Sequence, residues 1–313
     1  MVNDYIFAEL IKRGYSTEGS KKVWDVSDSK LWYLTPEQAQ AYLTFQGVAN
    51  YGSKLGSKEE ILIRNSLKAI IDLVGIEPIN LVDLGCGDGK KAVVFLEFLK
   101  DKAKVRYYPI DISGYMVEKA IDRISKLNAG EVIESQWNIS DFENLENVTA
   151  LLNRGGYKKN LFLLLGNTLG NFDMHDILYK IRNVMGDEDF LIIGNGLNNN
   201  KMEQGVLKFC KETKEYGMWF NHIPKMLGFN EDEFKFDVRF KNSRLEAFHV
   251  VLKDRKIVHR DKEINFKKGD EIVEGISYHL KKDDFISLMK LYFNTARIYT
   301  VEDDSYALAL CQK

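Results

Sequence analysis

Cysteine and proline are scarce in this chain, with 3 and 4 copies among 313 residues, and neither sign of charge is in surplus. Cys86, Cys210 and Cys311 stand far apart and form no Cys-x-x-Cys or Cys/His cluster. A disulfide framework and a zinc site both need such spacing, so reduced thiols in a cytoplasmic protein, with no bound metal, are expected. The 44 Lys and Arg nearly balance 46 Asp and Glu, which leaves no basic field of the kind that attracts nucleic-acid phosphates. No run of about 18 apolar residues occurs, and the N-terminus "MVNDYIFAELIKRG" lacks the basic-then-apolar order of a signal peptide. Nucleic acid, a membrane and an obligate protein partner are therefore not expected; a small-molecule partner is.

What is present is ordinary globular usage, 45% hydrophobic and 29% charged residues, enough for a sizeable core. The length favours one core fold with a smaller appended region. From about residue 57, short apolar runs alternate with segments of helical period, the trace of successive βα units and a parallel sheet. The runs are "INLVDL" (79–84), "VRYYPI" (105–110), "EVIESQW" (131–137), "LFLLL" (161–165) and "FLIIG" (190–194). Helices are expected over 91–100, 115–127, 145–153 and 174–185, and a strand-to-strand spacing of roughly 25 to 30 residues suits right-handed crossovers. After residue 197 the pattern changes: 198–221 reads as a loop and a long helix, and 234–280 holds strand-like runs such as "RLEAFHVVLK". Residues 198–280 therefore read as an insertion. The end of the chain reads as a helix and two strands, "ARIYTV" and "YALALC", a hairpin that closes a sheet of five parallel strands.

In a doubly wound sheet, ligands sit beyond the carboxyl ends of the strands. The first end carries "DLGCGDGKK", where Gly85, Gly87 and Gly89 let the backbone turn tightly and approach a bulky ligand. The second carries Asp111, placed to accept both hydroxyls of a ribose. The third carries Asp141 and Phe142, an acid for an adenine amino group and a ring to cover its face. A dinucleotide site also uses a glycine turn, but here the spacing is G-x-G-x-G and Lys90 stands where a third Gly or Ala belongs. In this order the residues favour S-adenosylmethionine over NAD. Each also has a plainer reading: Asp111 and Asp141 as helix caps, Lys91 as a solvated first-turn lysine, Cys86 as a packing thiol, His175 as a helix-start residue, and "EYGMWF" as a buried aromatic stripe.

Together with "LLLGNTLGNF" (163–172), these stretches resemble the histidine-specific methyltransferase family, whose best-known member trimethylates the α-amino group of histidine. The resemblance implies an α/β, class I methyltransferase fold: a Rossmann-like core over 57–197 and 281–313, with a mostly parallel seven-stranded sheet and a terminal antiparallel hairpin. It also implies a smaller α+β substrate domain built from 1–56 and 198–280. By motif, Gly85, Gly87 and Lys91 would lie along the cofactor, S-adenosyl-L-methionine, with Asp111 on its ribose, Asp141 and Phe142 at its adenine and Gly166 near the reacting centre. Asn171 matches the substrate-holding Asn. Tyr33, in "LWYLTPEQ", matches the tyrosine near the acceptor amine, so Tyr33, Gly166 and Asn171 form the expected catalytic group. Glu274 and Ser277 match the acceptor side-chain pocket, with two departures. Ala247 replaces a pocket methionine, and Glu274 lies three residues before Ser277 where the motif has two. On a regular strand that offset turns Glu274 to the opposite face.

Methyl transfer from a sulfonium needs little proton chemistry once the acceptor nitrogen is neutral, so the protein's task is to position and desolvate. N-methylation of a small amino acid or amine is the leading expectation. A small-molecule O-methyltransferase and a cofactor-binding regulatory protein without turnover remain open.

Overall fold

The computed structural model describes residues 2–52, 55–136, 138–142, 145–152 and 156–313. The chain divides into two compact units, Met1–Tyr51 with Asn200–Tyr278, and Gly52–Asn199 with His279–Lys313. In chain order the first unit opens with β1 (Tyr15–Glu18) and β2 (Lys21–Asp25). The second supplies β3 (Ile79–Leu84), β4 (Val105–Ile110), β5 (Glu131–Val132), β6 (Lys159–Leu164) and β7 (Phe190–Gly196). The first resumes with β8 (Phe234–Lys241), β9 (Arg244–Val251), β10 (Arg255–His259), β11 (Lys262–Phe266) and β12 (Glu271–Tyr278). The second closes with β13 (Thr295–Thr300) and β14 (Tyr306–Gln312).

The second unit is a seven-stranded sheet in the order β13-β14-β7-β6-β3-β4-β5. Strands β3 to β7 pair in parallel, and β14 runs antiparallel between β7 and β13. This is the five-plus-hairpin arrangement read from the apolar runs. Every residue of β3, β4 and β7 is buried, which explains why these runs are apolar rather than alternating: helices cover both faces. Polar exceptions inside the sheet are matched to one another. Arg106 Nε donates to Asn80 Oδ1 at 2.9 Å, and Asn80 Nδ2 donates to Asn160 Oδ1 at 2.8 Å. The flanking helices include Leu55–Val74, Lys90–Leu99, Gly114–Ser125, Leu145–Leu152, Met174–Val184 and Lys282–Tyr292. The chain order reverses at β3, between β6 and β4, and the carboxyl ends there are where a ligand crevice forms.

The third apolar run departs from expectation, because β5 keeps only Glu131 and Val132. Polar residues Glu134, Ser135 and Gln136 follow, and the Asn138 side chain satisfies the backbone locally, donating to Pro109 O at 2.8 Å and Ile133 O at 3.1 Å. Such side-chain bonds compete with a ladder, which resumes only as a bridge between Asp111 and Ile139. Trp137, assigned to this run, and Asn153, assigned to the expected helix 145–153, lie outside the described residues.

The first unit is a five-stranded sheet ordered β1-β2-β12-β9-β8, with β10-β11 as a separate hairpin. The N-terminal β2 pairs in parallel with β12, so the chain's start and the segment after residue 199 share one sheet. The long helix expected before residue 221 is broken into Asn200–Glu212 and Lys214–Phe220, and a further short helix, His222–Met226, follows it. Thr213, extended at φ −87° and ψ 102°, makes the break between the first two.

Candidate active site

In the second unit the strand-end residues converge. Gly85, Gly87 and Gly89 all have positive φ (70°, 52° and 75°), the left-handed region that other residues enter at a cost. Asp111 ties this turn to the next. Its Oδ2 accepts from Gly87 N and its Oδ1 from Ser113 N, both at 3.0 Å. The residue at the N-cap of helix Gly114–Ser125 is Ser113, so Asp111 is not a cap. Burial pushes the pKa of Asp111 up while these amide donors pull it down. A carboxylate offers about four acceptor positions, more than the backbone amides of Gly87, Ser113 and Ile112 occupy. An added Cβ at Gly87 would meet nothing within 4 Å, and the backbone there is open to a large group.

Asp141 and Phe142 are half-buried, and the Phe142 ring packs on Phe172 with centroids 5.3 Å apart. Residues 143–144, which would decide whether Asp141 caps the next helix, lie outside the described residues. Gly166 lies two residues beyond β6, at φ 75°, and is followed by Asn167 at φ 63°. Asn171 closes the short turn Thr168–Asn171 and is half-buried, next to Phe172. Cys86 is buried, and burial with Asp111 and Asp83 nearby raises its thiol pKa well above the ordinary value; it packs and is no nucleophile.

Two acids of this unit escaped sequence reasoning. Asp83 on β3 is 3% exposed. Burial pushes its carboxyl up to about 7, while the Tyr107 hydroxyl, donating at 2.8 Å, pulls the other way. Glu59, also 3% exposed, accepts from Gly166 N at 2.7 Å and from the Tyr306 hydroxyl at 2.6 Å, and pairs with Lys91 Nζ at 3.1 Å. Lys91 is thus no free surface lysine. A signal for Glu59 did exist: it lies four and eleven residues before the buried Ile63 and Ile70, on the core-facing stripe of its helix.

In the first unit Tyr33 follows the turn Ser29–Trp32 and meets Tyr42 edge-on at 5.4 Å and Trp219 at 5.8 Å between ring centroids. Tyr216, Trp219 and Phe220 are buried, as the aromatic-stripe reading holds. The Trp32 indole donates to Glu274 O at 2.6 Å, and the Trp219 indole to Trp32 O at 3.2 Å.

The offset of Glu274 does not turn it away from Ser277, because β12 is bulged between Val273 and Gly275. Ile272 faces His249 and Gly275 faces Ala247, with Ser277 opposite Leu245. Counting by two from either side puts both Glu274 and Gly275 on the face of Ser277; the extra residue of a bulge cancels the flip. An added Cβ at Gly275 would lie 2.5 Å from the Phe220 ring. On this face Glu274 Oε2 lies 2.7 Å from His249 Nδ1, and His249 Nε2 lies 2.7 Å from Asn221 Oδ1. Glu274 and His249 are both fully buried, and Glu274 Oε1 has no hydrogen-bond partner among the described residues. Burial raises the Glu274 pKa against the pull of His249.

Among the described residues no group of three or more His, Cys, Asp or Glu could hold a metal ion, and no helix is long and apolar enough to cross a membrane. Of the sequence-derived residues, Gly85, Gly87, Lys91, Asp111, Asp141, Phe142, Gly166 and Asn171 belong to the second unit; Tyr33, Glu274 and Ser277 belong to the first.

No curated protein matches the chain. Similar solved structures include an S-adenosylmethionine-dependent methyltransferase from Clostridium acetobutylicum, 13% identical, covering 87% of this chain and 98% of its own, with a TM-score of 0.46. The CurJ carbon methyltransferase is 11% identical over 89% of this chain and 61% of its own, with a TM-score of 0.49. Human N-acetylserotonin methyltransferase, in complex with S-adenosylmethionine, is 11% identical over 88% and 56%, with a TM-score of 0.41. The profile of a family described as "Histidine-specific methyltransferase, SAM-dependent" matches residues 54–313. That span holds the glycine turn, Asp111 and the whole seven-stranded sheet, so the chain belongs to the histidine-specific, S-adenosylmethionine-dependent methyltransferase family and has its class I α/β fold.

Proposed function

We propose that this methyltransferase acts on the amino group of a small amino acid or amine, a histidine-like acceptor among the candidates. The single observation that carries this reading is the second oxygen of Glu274, buried and without a partner on the face that also bears Ser277. A buried carboxyl oxygen left without a partner costs free energy, and a nitrogen-bearing acceptor supplies a donor for it.

The second unit fits the cofactor. Asp111 keeps acceptor capacity for a ribose hydroxyl, Gly87 leaves open backbone, and Lys91 offers an ammonium 30% exposed in its side chain. Asp141 and Phe142 would take the adenine, Gly85 and Lys91 the methionyl part. When bound, S-adenosylmethionine supplies an electrophilic methyl group on a sulfonium. By motif, Asn171 would anchor the acceptor's carboxylate or amide and glycine at position 166 would keep the reacting centre clear, and Tyr33 is the motif's candidate to orient the amine lone pair. Glu274 and Ser277 read the acceptor's side chain. The acceptor is the sole partner this reading requires, and the buried free thiols of Cys86, Cys210 and Cys311 support a cytoplasmic location.

A methyl-release screen over amino acids and amines, with small acids and alcohols beside them, tests the reading. Turnover on amines is expected; turnover confined to acids or alcohols would make this an O-methyltransferase, and cofactor binding without turnover on any acceptor would make it a regulator. Once an acceptor is in hand, Asn171→Ala should raise its KM by roughly tenfold, the cost of one charged hydrogen bond, with S-adenosylhomocysteine affinity unchanged. Equal weakening of both would remove Asn171 from the acceptor's side.

A further inference from the structure

Glu59 has a role that the mechanism above leaves unassigned. Its carboxylate is buried, and such a group is retained only when donors surround it. Three do, each from a different element: the Gly166 amide after β6, the Tyr306 hydroxyl on β14 and the Lys91 ammonium on helix Lys90–Leu99. Burial, with Glu59 alongside, raises the Tyr306 pKa well above the ordinary value, so that hydroxyl stays a donor. The glycines around the carboxylate record the same crowding. A Cβ at Gly166 would lie 2.1 Å from Lys91 Nζ, and one at Gly194 would lie 2.7 Å from Glu59 Oε1 and from the Tyr306 hydroxyl.

The charges are layered. The Glu59 side chain is 5% exposed and the Lys91 side chain 30%, so the anion lies beneath and the cation lies above it, presented beside Gly166. The α-amino-acid end of the cofactor is a zwitterion, with a carboxylate for an ammonium to receive and an ammonium that an anion a few ångströms deeper attracts.

We infer that Glu59 is a positioning residue that fixes Lys91 and the Gly166 turn to receive the methionyl zwitterion of the cofactor. The inference rests on the reading of Lys91 as the partner of the cofactor's carboxylate. Glu59→Gln keeps the size and an acceptor oxygen for the Gly166 amide and the Tyr306 hydroxyl, but removes the charge that holds Lys91.

Calorimetry with two ligands separates this role from a merely structural one: S-adenosylhomocysteine, which carries the amino-acid end, and 5′-methylthioadenosine, which lacks it. Glu59→Gln should weaken S-adenosylhomocysteine by about tenfold, the size of one charge-assisted hydrogen bond, and leave methylthioadenosine binding and the acceptor's KM unchanged. Equal loss of both ligands, or S-adenosylhomocysteine binding as in the unaltered protein, overturns the inference. Lys91→Met is the companion variant. If it weakens S-adenosylhomocysteine while Glu59→Gln does not, the positioning role alone fails; if Lys91→Met binds normally, the reading of Lys91 fails with it.

Discussion

Replacing Asp111 by Asn should weaken S-adenosylhomocysteine binding by roughly two orders of magnitude, the cost of losing about two hydrogen bonds to a charged group. In the unaltered protein both carboxylate oxygens are engaged before any ligand arrives, one by Gly87 N and one by Ser113 N. A carboxamide has one acceptor oxygen, so its NH2 group must face one of these N–H donors. Either the glycine turn or the start of helix Gly114–Ser125 then loses its tether. The remaining acceptor positions, which ribose hydroxyls would use, lose their negative charge as well. Two effects at one atom pair make the loss large, although half-burial of the side chain leaves the variant free to fold. Calorimetry gives the affinity, and far-ultraviolet circular dichroism reports the fold. Affinity within threefold of the unaltered protein, in a folded variant, would remove Asp111 from the cofactor site.

His249→Ala should destabilise the first unit by about 3 to 5 kcal/mol at neutral pH, the usual result of stripping one partner from a buried pair. His249 is packed edge-on against Phe234 and Phe236, with ring centroids 5.0 and 5.3 Å away, and the Glu274 it pairs with is itself fully buried. The sign with pH follows from the carboxyl. Burial already raises the Glu274 pKa, and His249 is what pulls it back. A carboxyl whose folded pKa exceeds the unfolded one binds its proton more tightly when folded, so its penalty is absent at low pH and grows as pH rises through the folded value. The variant's deficit should therefore be greater at about pH 8 than at about pH 5. Urea unfolding followed by tryptophan fluorescence is a suitable readout, since Trp24, Trp32 and Trp219 all belong to this unit. An equal deficit at both pH values would assign the loss to packing and not to the stranded charge.

The elements that proved legible share a property: their signal is local. Strands β3, β4, β6 and β7 are runs long enough to be buried on both faces, and the glycines after β3 occupy a conformation few other residues tolerate. The motif at Gly166 to Asn171 is local too, and so is the hairpin of β13 and β14. Where reading stopped short, the cause was a partner distant in sequence. "EVIESQW" scans as a strand, but the Asn138 side chain that follows it is bonded to Pro109, 29 residues earlier, and draws the backbone away from the ladder. Asp111 reads as a ribose contact, with a helix cap as its plainer reading, and neither announces that its second oxygen reaches back 24 residues to Gly87.

Glu274 is the sharpest case. Alternation along "VEGISY" places it opposite Ser277, and nothing within those six residues announces a bulge; the bulge follows from how β12 registers on β9, where Gly275 must clear the Phe220 ring. Glu59 is its counterpart in the second unit, a carboxylate whose helix shows only that it faces the core. Periodicity and backbone preference thus carried the sheet and the turn from residue order alone, and the resemblance of the short motifs carried the family. The charge partners of Glu59, Glu274 and Asp111 came from chain folding, because a hydrogen bond across 24 to 247 residues leaves no period in the sequence that makes it.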